Sequence, residues 1–206
     1  MKRLFLFLAV MVLMAACSDD EKDKKMERVL NANDSISSYH MKMTSDDSEG
    51  FSKSTMTADY KDNSMQMTTK KAVTYMTGDD RYILAQNRVV KRKRLNDENT
   101  YEEQMKFLER YRSYFNVATE KDQIVFTSNR ELLTDDKALD ELNLNRSAVD
   151  EFSIEYIFDE DDKLKQFSVE RLQKDEKRMY ETVYHYSHVN QLKAIEVHPL
   201  IKEEMY

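Results

Sequence analysis

The sequence predicts an α+β protein in which helices gather on one face of a large antiparallel sheet. Apolar residues recur at every second position from Ser37 to Arg94 and again from Glu151 to Val197, the period of a strand with one buried face. Between Thr100 and Phe115 the spacing lengthens to three or four residues, the period of an amphipathic helix. The turns between the alternating runs are too short for crossovers, so neighbouring strands run antiparallel. Helix, strands, helices, strands is the order of an α+β domain.

Lys2 and Arg3 open the chain, an uncharged stretch runs from Leu4 to Met14, and Met14-Ala15-Ala16-Cys17 closes it. A basic start, an apolar centre too short to span a bilayer and a small-residue cleavage site make residues 1–16 an export signal. Cysteine directly after Ala-Ala resembles the lipobox of bacterial lipoproteins, which are cut before a cysteine already carrying diacylglyceryl. That resemblance makes Cys17 the lipidation site, and two or more acyl chains on one residue hold a protein stably at a membrane. Ser18 to Lys25 is wholly polar, so residues 17–25 read as a lipidated cysteine and tether, although the acidic start also suits a helix cap. Residues 26–206 then form one domain, large enough to bury a sizeable core.

A first helix carries Met26, Val29 and Leu30. Tyr39, Met41 and Met43 alternate with His40, Lys42 and Thr44, and Met56, Ala58 and Tyr60 with Thr55, Thr57 and Asp59. Met65 and Met67, Val73 and Tyr75, then Tyr82 and Leu84 continue the pattern across turns at 46–50, 61–63 and 78–80, as a meander. Tyr101, Met105, Leu108, Tyr111 and Phe115 line one face of the next helix, with Thr100 and Glu103 as a capping box. A short strand at 123–127 and an amphipathic segment with Ala138, Leu139 and Leu142 follow. Strands return with Phe152, Ile154, Tyr156 and Phe158, then Phe167 and Val169, then Tyr180, Thr182, Tyr184 and Tyr186. Acidic Asp159 to Asp162 and Lys174-Asp175-Glu176 are the turns between them, and Ile195 and Val197 make a last strand before Pro199.

Composition excludes several functions. Cys17 is the only cysteine, so the mature chain has no disulfide and no thiolate metal site. The formal charge of −7 falls to −9 once Lys2 and Arg3 leave with the signal, an excess of acid that argues against nucleic acid as partner. Two glycines, Gly50 and Gly78, stand far apart, so no phosphate-cradling loop is present. Neither Gly-x-Ser-x-Gly nor His-Glu-x-x-His occurs, and nothing points to catalytic residues or a cofactor.

The order of motifs resembles that of the LolA-like lipoproteins, most closely their large Gram-positive group. The likeness rests on the Cys17 lipobox, Ser38-Tyr39-His40-Met41-Lys42-Met43 and Met65-Gln66-Met67. It continues through Tyr75-Met76-Thr77-Gly78-Asp79-Asp80-Arg81-Tyr82, Val90-Lys91 and Ile195-Glu196-Val197-His198-Pro199. Relatives often place tryptophan before that lysine, whereas this chain has none. The resemblance implies a strongly curved half-barrel sheet with helices on its concave face, acyl chains held between them, and a lipid anchor on the extracytoplasmic face of the cell membrane.

The methionine-rich strands are the first candidate ligand site, because flexible, polarizable thioethers adapt to varied apolar partners. Met41, Met43, Met56, Met65, Met67, Tyr75 and Met76, with Met105 and Leu108 from the helix, would line an apolar cavity for a lipid or other hydrophobic molecule. The bland alternative is that they fill the core. A rival use is soft Cu(I) ligation by Met41-x-Met43 and Met65-x-Met67 with His40, His185 or His188. Arg88, Lys91 and Arg92, in a basic run reaching Arg94, are candidates for binding anionic groups, although charge also protects an edge strand from pairing. Asp159, Asp161 and Asp162 lack the glycine and glutamate of a calcium loop. The other functional expectation is an envelope protein partner bound by a filled domain.

Overall fold

The computed structural model describes residues 19–50, 53–94, 100–142, 144–174 and 177–206; the signal, Cys17 and the turn residues Asp175 and Glu176 lie outside them. Two meanders make one antiparallel sheet. The first comprises β1 (Ser38–Asp47), β2 (Ser54–Lys61), β3 (Ser64–Thr69), β4 (Val73–Thr77), β5 (Asp80–Ala85) and β6 (Arg88–Lys93). The second comprises β7 (Phe115–Glu120), β8 (Gln123–Ser128), β9 (Val149–Phe158), β10 (Leu164–Gln173) and β11 (Met179–Ser187). The last strand pairs with the first, from His40 opposite Ser187 to Asp47 opposite Tyr180, giving the order β6-β5-β4-β3-β2-β1-β11-β10-β9-β8-β7. β6 and β7 do not meet, so the half-barrel stays open.

Hairpins close with few glycines because asparagine and aspartate tolerate the left-handed region. Asp62-Asn63, Gln86-Asn87 and Lys121-Asp122 all have positive φ at both positions, the backbone of the two-residue turn whose twist matches the flanking strands.

Alternation puts Met41, Met43, Ala58, Met65, Met76, Ile154, Tyr156, Phe158, Phe167 and Tyr186 on the inner face. There they meet α1 (Asp19–Ala32), α2 (Thr100–Arg110) and α3 (Asp136–Glu141) in one core that includes Met26, Val29, Met105, Leu108 and Leu139. A second, smaller core occupies the outer face. The chain from Leu192 to His198 is extended without pairing, and with α4 (Pro199–Glu204) it covers Tyr75, Tyr82 and Leu84 through Ile195, Val197, Leu200 and Ile201.

Three expectations need correction. Ile195 and Val197 form no strand; their alternation serves the outer-face core, while Gln66 holds the segment through Glu196 O (2.8 Å) and His198 N (3.1 Å). Phe115 does not end the helix: α2 stops at Arg110, a 3-10 turn spans Arg112–Tyr114, and Phe115 begins β7 on the inner face. Residues 19–25 are helical, the N-terminal half of α1, where Lys25 pairs with Glu21 one turn earlier at 2.7 Å.

The C-terminal end of α1 is fastened by Asn33, which is 6% exposed. Its Nδ2 donates to Val29 O (2.6 Å) and to Asp162 O in the β9–β10 turn (2.7 Å). Its Oδ1 accepts from Tyr101 Oη and Leu164 N, and Leu164 N also donates to Tyr101 Oη (3.0 Å). One buried amide thus joins α1, α2 and the β9–β10 hairpin. The acidic turn supports this fastening: Asp159 Oδ1 accepts from Asp161 N and Lys163 N, and Asp162 pairs with Arg28 at 2.7 Å.

On the outer face Glu170 of β10 stands directly opposite Glu181 of β11, with Glu155 on the next strand. Partial burial, then the neighbouring carboxylates, pushes the Glu155 and Glu170 carboxyls up. A carboxyl whose folded pKa is raised contributes stability below its unfolded pKa and loses it as pH rises through the folded value. Glu170→Gln is therefore expected to stabilise the protein by about 0.5 kcal/mol near pH 7, the scale of a directly opposed like-charge pair. The gain should vanish near pH 4, and denaturant unfolding at the two pH values checks it.

Candidate binding site

An open cleft of about 640 Å³ lies between α2 and the strands β9, β10 and β11, within the range of roughly 300–1,000 Å³ common for small-molecule sites. Its floor is made by inward-pointing residues of adjacent strands. Tyr156 stands opposite Phe167 and Phe167 opposite Tyr184, while Val169 stands opposite Thr182 and Arg171 opposite Tyr180. The wall comes from α2, through Glu103, Gln104, Lys106, Phe107 and Arg110, and from Glu141, Leu142 and Leu144 beyond it.

Polar groups deep in the cleft are satisfied where α2 touches the sheet. Tyr156 Oη donates to Gln104 O (3.0 Å) and Tyr186 Oη to Gln104 Oε1 (2.6 Å), so one residue of the helix is bonded to two strands. Burial pushes the phenols of Tyr156, Tyr184 and Tyr186 up, so all three stay neutral donors. Tyr156 and Phe167 lie 4.8 Å apart, and Phe167 and Tyr184 5.6 Å, a continuous aromatic floor. At the rim Lys106 pairs with Glu102 at 2.5 Å, and Arg110 with Glu141.

None of the methionines expected to line a cavity lines this one. Met41, Met65 and Met76 are fully buried, Met105 and Leu108 are sealed in the same core, and Met43, Met56 and Met67 are half-buried against it. Tyr75 lies on the other face, beneath the C-terminal segment. The sulfur and imidazole set considered for copper is split by the sheet. Met41 Sδ accepts from Thr100 Oγ1 (3.4 Å) on the inner side, whereas His40 on the outer side bonds Asp59 at 2.6 Å.

Arg88, Lys91 and Arg92 lie exposed on β6, at an edge of the sheet. Lys91 bonds Asp80 at 2.7 Å and sits 5.3 Å from the centre of the Tyr82 ring, and six strands separate β6 from β10. The cleft residues sequence reasoning missed are Phe107, Leu142, Leu144, Arg171, Tyr180 and the β9–β11 floor. Leu142, Tyr180 and the floor residues are legible only as members of their elements, and Phe107, Leu144 and Arg171 carry no signal of a site. The nearest signal was the run of tyrosines on β11, unusually polar for a fully packed face.

No protein-family model matches the sequence, and no curated protein matches it. Among solved structures, LprF from Mycobacterium bovis aligns over 86% of this chain and 97% of its own, with a TM-score of 0.52 at 9% identity. The Mycobacterium tuberculosis lipoprotein LppX aligns over 87% and 100%, with a TM-score of 0.48 at 11% identity. A LolA superfamily protein from Nitrosomonas europaea aligns over 85% and 94%, with a TM-score of 0.32 at 8% identity. The open antiparallel half-barrel with helices in its concavity is thus the fold of LprF, and it has the architecture that the motif resemblance implies.

Proposed function

We propose that this chain is a lipoprotein anchored at the extracytoplasmic face of the cell membrane through Cys17, and that its domain binds a lipid or other hydrophobic molecule in the cleft beneath α2. The observation that carries the reading is an aromatic-floored space of about 640 Å³ between α2 and the inner face of the sheet. Binding needs no chemistry: each 100 Å² of acyl surface leaving water contributes about 2.5 kcal/mol.

A titration of the mature chain carrying Cys17→Ser with a fluorescent acyl probe tests the cleft. Saturable one-to-one binding is expected, and no uptake would overturn the proposal. Anchorage is tested separately by detergent partition, in which the processed wild type should enter the detergent phase and Cys17→Ala should stay in the aqueous phase. The filled methionine half of the domain favours a second reading, an envelope interaction protein whose sheet docks a partner. An absence of bound lipid together with a reproducible protein partner would select it.

A further inference from the structure

We infer that the guest of the cleft is an anionic single-chain amphiphile whose acidic head is held by Arg171; the inference rests on the reading of the cleft as a binding site. Along β10 the cleft floor runs Phe167, Val169, Arg171, a span of about 13 Å at strand rise. At one end Phe167 lies between Tyr156 and Tyr184, in the aromatic part of the floor. At the other, Arg171 lies between Phe152 and Tyr180. The floor therefore passes from apolar to cationic within the reach of one ligand.

Arg171 differs from the other cations of the cleft. Lys106 and Arg110 each carry a carboxylate partner, Glu102 and Glu141. The Arg171 guanidinium is half-buried and packs 5.4 Å from the centre of the Tyr180 ring, and it has no ion pair or hydrogen bond among the described residues. On the same level of the inner face, Asp47 accepts from Glu49 N at 2.9 Å through Oδ1.

A half-buried guanidinium without a paired counter-charge is costly to desolvate. A carboxylate or phosphate oxygen pair would meet its planar fork in two parallel charge-assisted bonds. Stacking on Tyr180 fixes the plane of that fork before a ligand arrives. A free fatty acid and a phosphorylated lipid both offer that pair of anionic oxygens.

The test uses the mature Cys17→Ser chain and four probes of one tail length: palmitate, palmitoyl lysophosphatidate, monopalmitoylglycerol and hexadecylamine. At least one anionic probe is expected to bind tenfold or more tighter than monopalmitoylglycerol, with hexadecylamine weakest, and the tighter acid identifies the source. Arg171→Gln should erase that preference, weakening the anionic probe at least tenfold more than monopalmitoylglycerol at an unchanged melting temperature, and Arg171→Lys should restore part of it. Equal losses for charged and neutral probes, or no loss for either, would overturn the head-group assignment and leave the cleft intact. If no probe binds the parent chain, the cleft reading itself falls.

Discussion

Asn33→Ala is expected to lower folding stability by about 3 kcal/mol, because several buried or half-buried groups each lose a partner at once. Asp162 O loses the donor from Nδ2, and Tyr101 Oη and Leu164 N lose the acceptor Oδ1. Each such group costs roughly 1–3 kcal/mol when it cannot reach water, and only the surviving Leu164 N to Tyr101 Oη bond moderates the sum. Against a typical stability of about 5–15 kcal/mol this is a large fraction. The change should appear in urea unfolding as a lower midpoint at unchanged slope. Asn116→Ala, at an exposed position of β7, should stay within about 0.5 kcal/mol. A loss below 1 kcal/mol for Asn33→Ala would mean that Asn33 does not fasten α1.

Val169→Trp is expected to abolish acyl binding while the fold survives. Val169 is half-buried, packed at the edge of the core in the middle of β10 and lining the cleft, so an indole there can extend into the guest's volume. Overpacking a closed interior costs about 1–3 kcal/mol, and the open side of the cleft should keep the penalty below that range. Met67→Leu is the contrasting change, a near-isosteric swap on the methionine strands. If the cleft is the site, Val169→Trp weakens probe binding at least tenfold and Met67→Leu leaves it unchanged. The reverse pattern would return the site to the methionines.

Those two substitutions mark the boundary of what was legible in the sequence. The strands were readable because a one-sided sheet writes its burial as alternation, as in Phe152, Ile154, Tyr156 and Phe158, all four of them buried. β7 was not, because Phe115 falls four residues after Tyr111 and so continues the helical spacing while its side chain faces the sheet. The Gln86-Asn87 and Lys121-Asp122 turns were missed for lack of glycine, although asparagine or aspartate in second place carries the left-handed signal. Ile195 and Val197 alternate like a strand because one side of an extended segment is buried whether or not its backbone pairs.

The cleft itself was illegible for a more basic reason. Phe167 and Tyr184 would have the same sequence pattern under a close-packed helix as under one that stands off from them. Whether α2 leaves space depends on how Gln104, Tyr101 and Asn33 hold it to the strands and to α1, contacts spread across much of the chain. Methionine content pointed to a different place, since a side chain that adapts to guests also fills a core well.

Native mass spectrometry of the mature domain purified from its own membrane, run beside the Val169→Trp variant, tests the central claim most directly. The account predicts one acyl-chain amphiphile bound per wild-type chain and none on the variant. A wild-type domain that flies empty and takes up no added lipid, or a variant that retains the same guest, would contradict it.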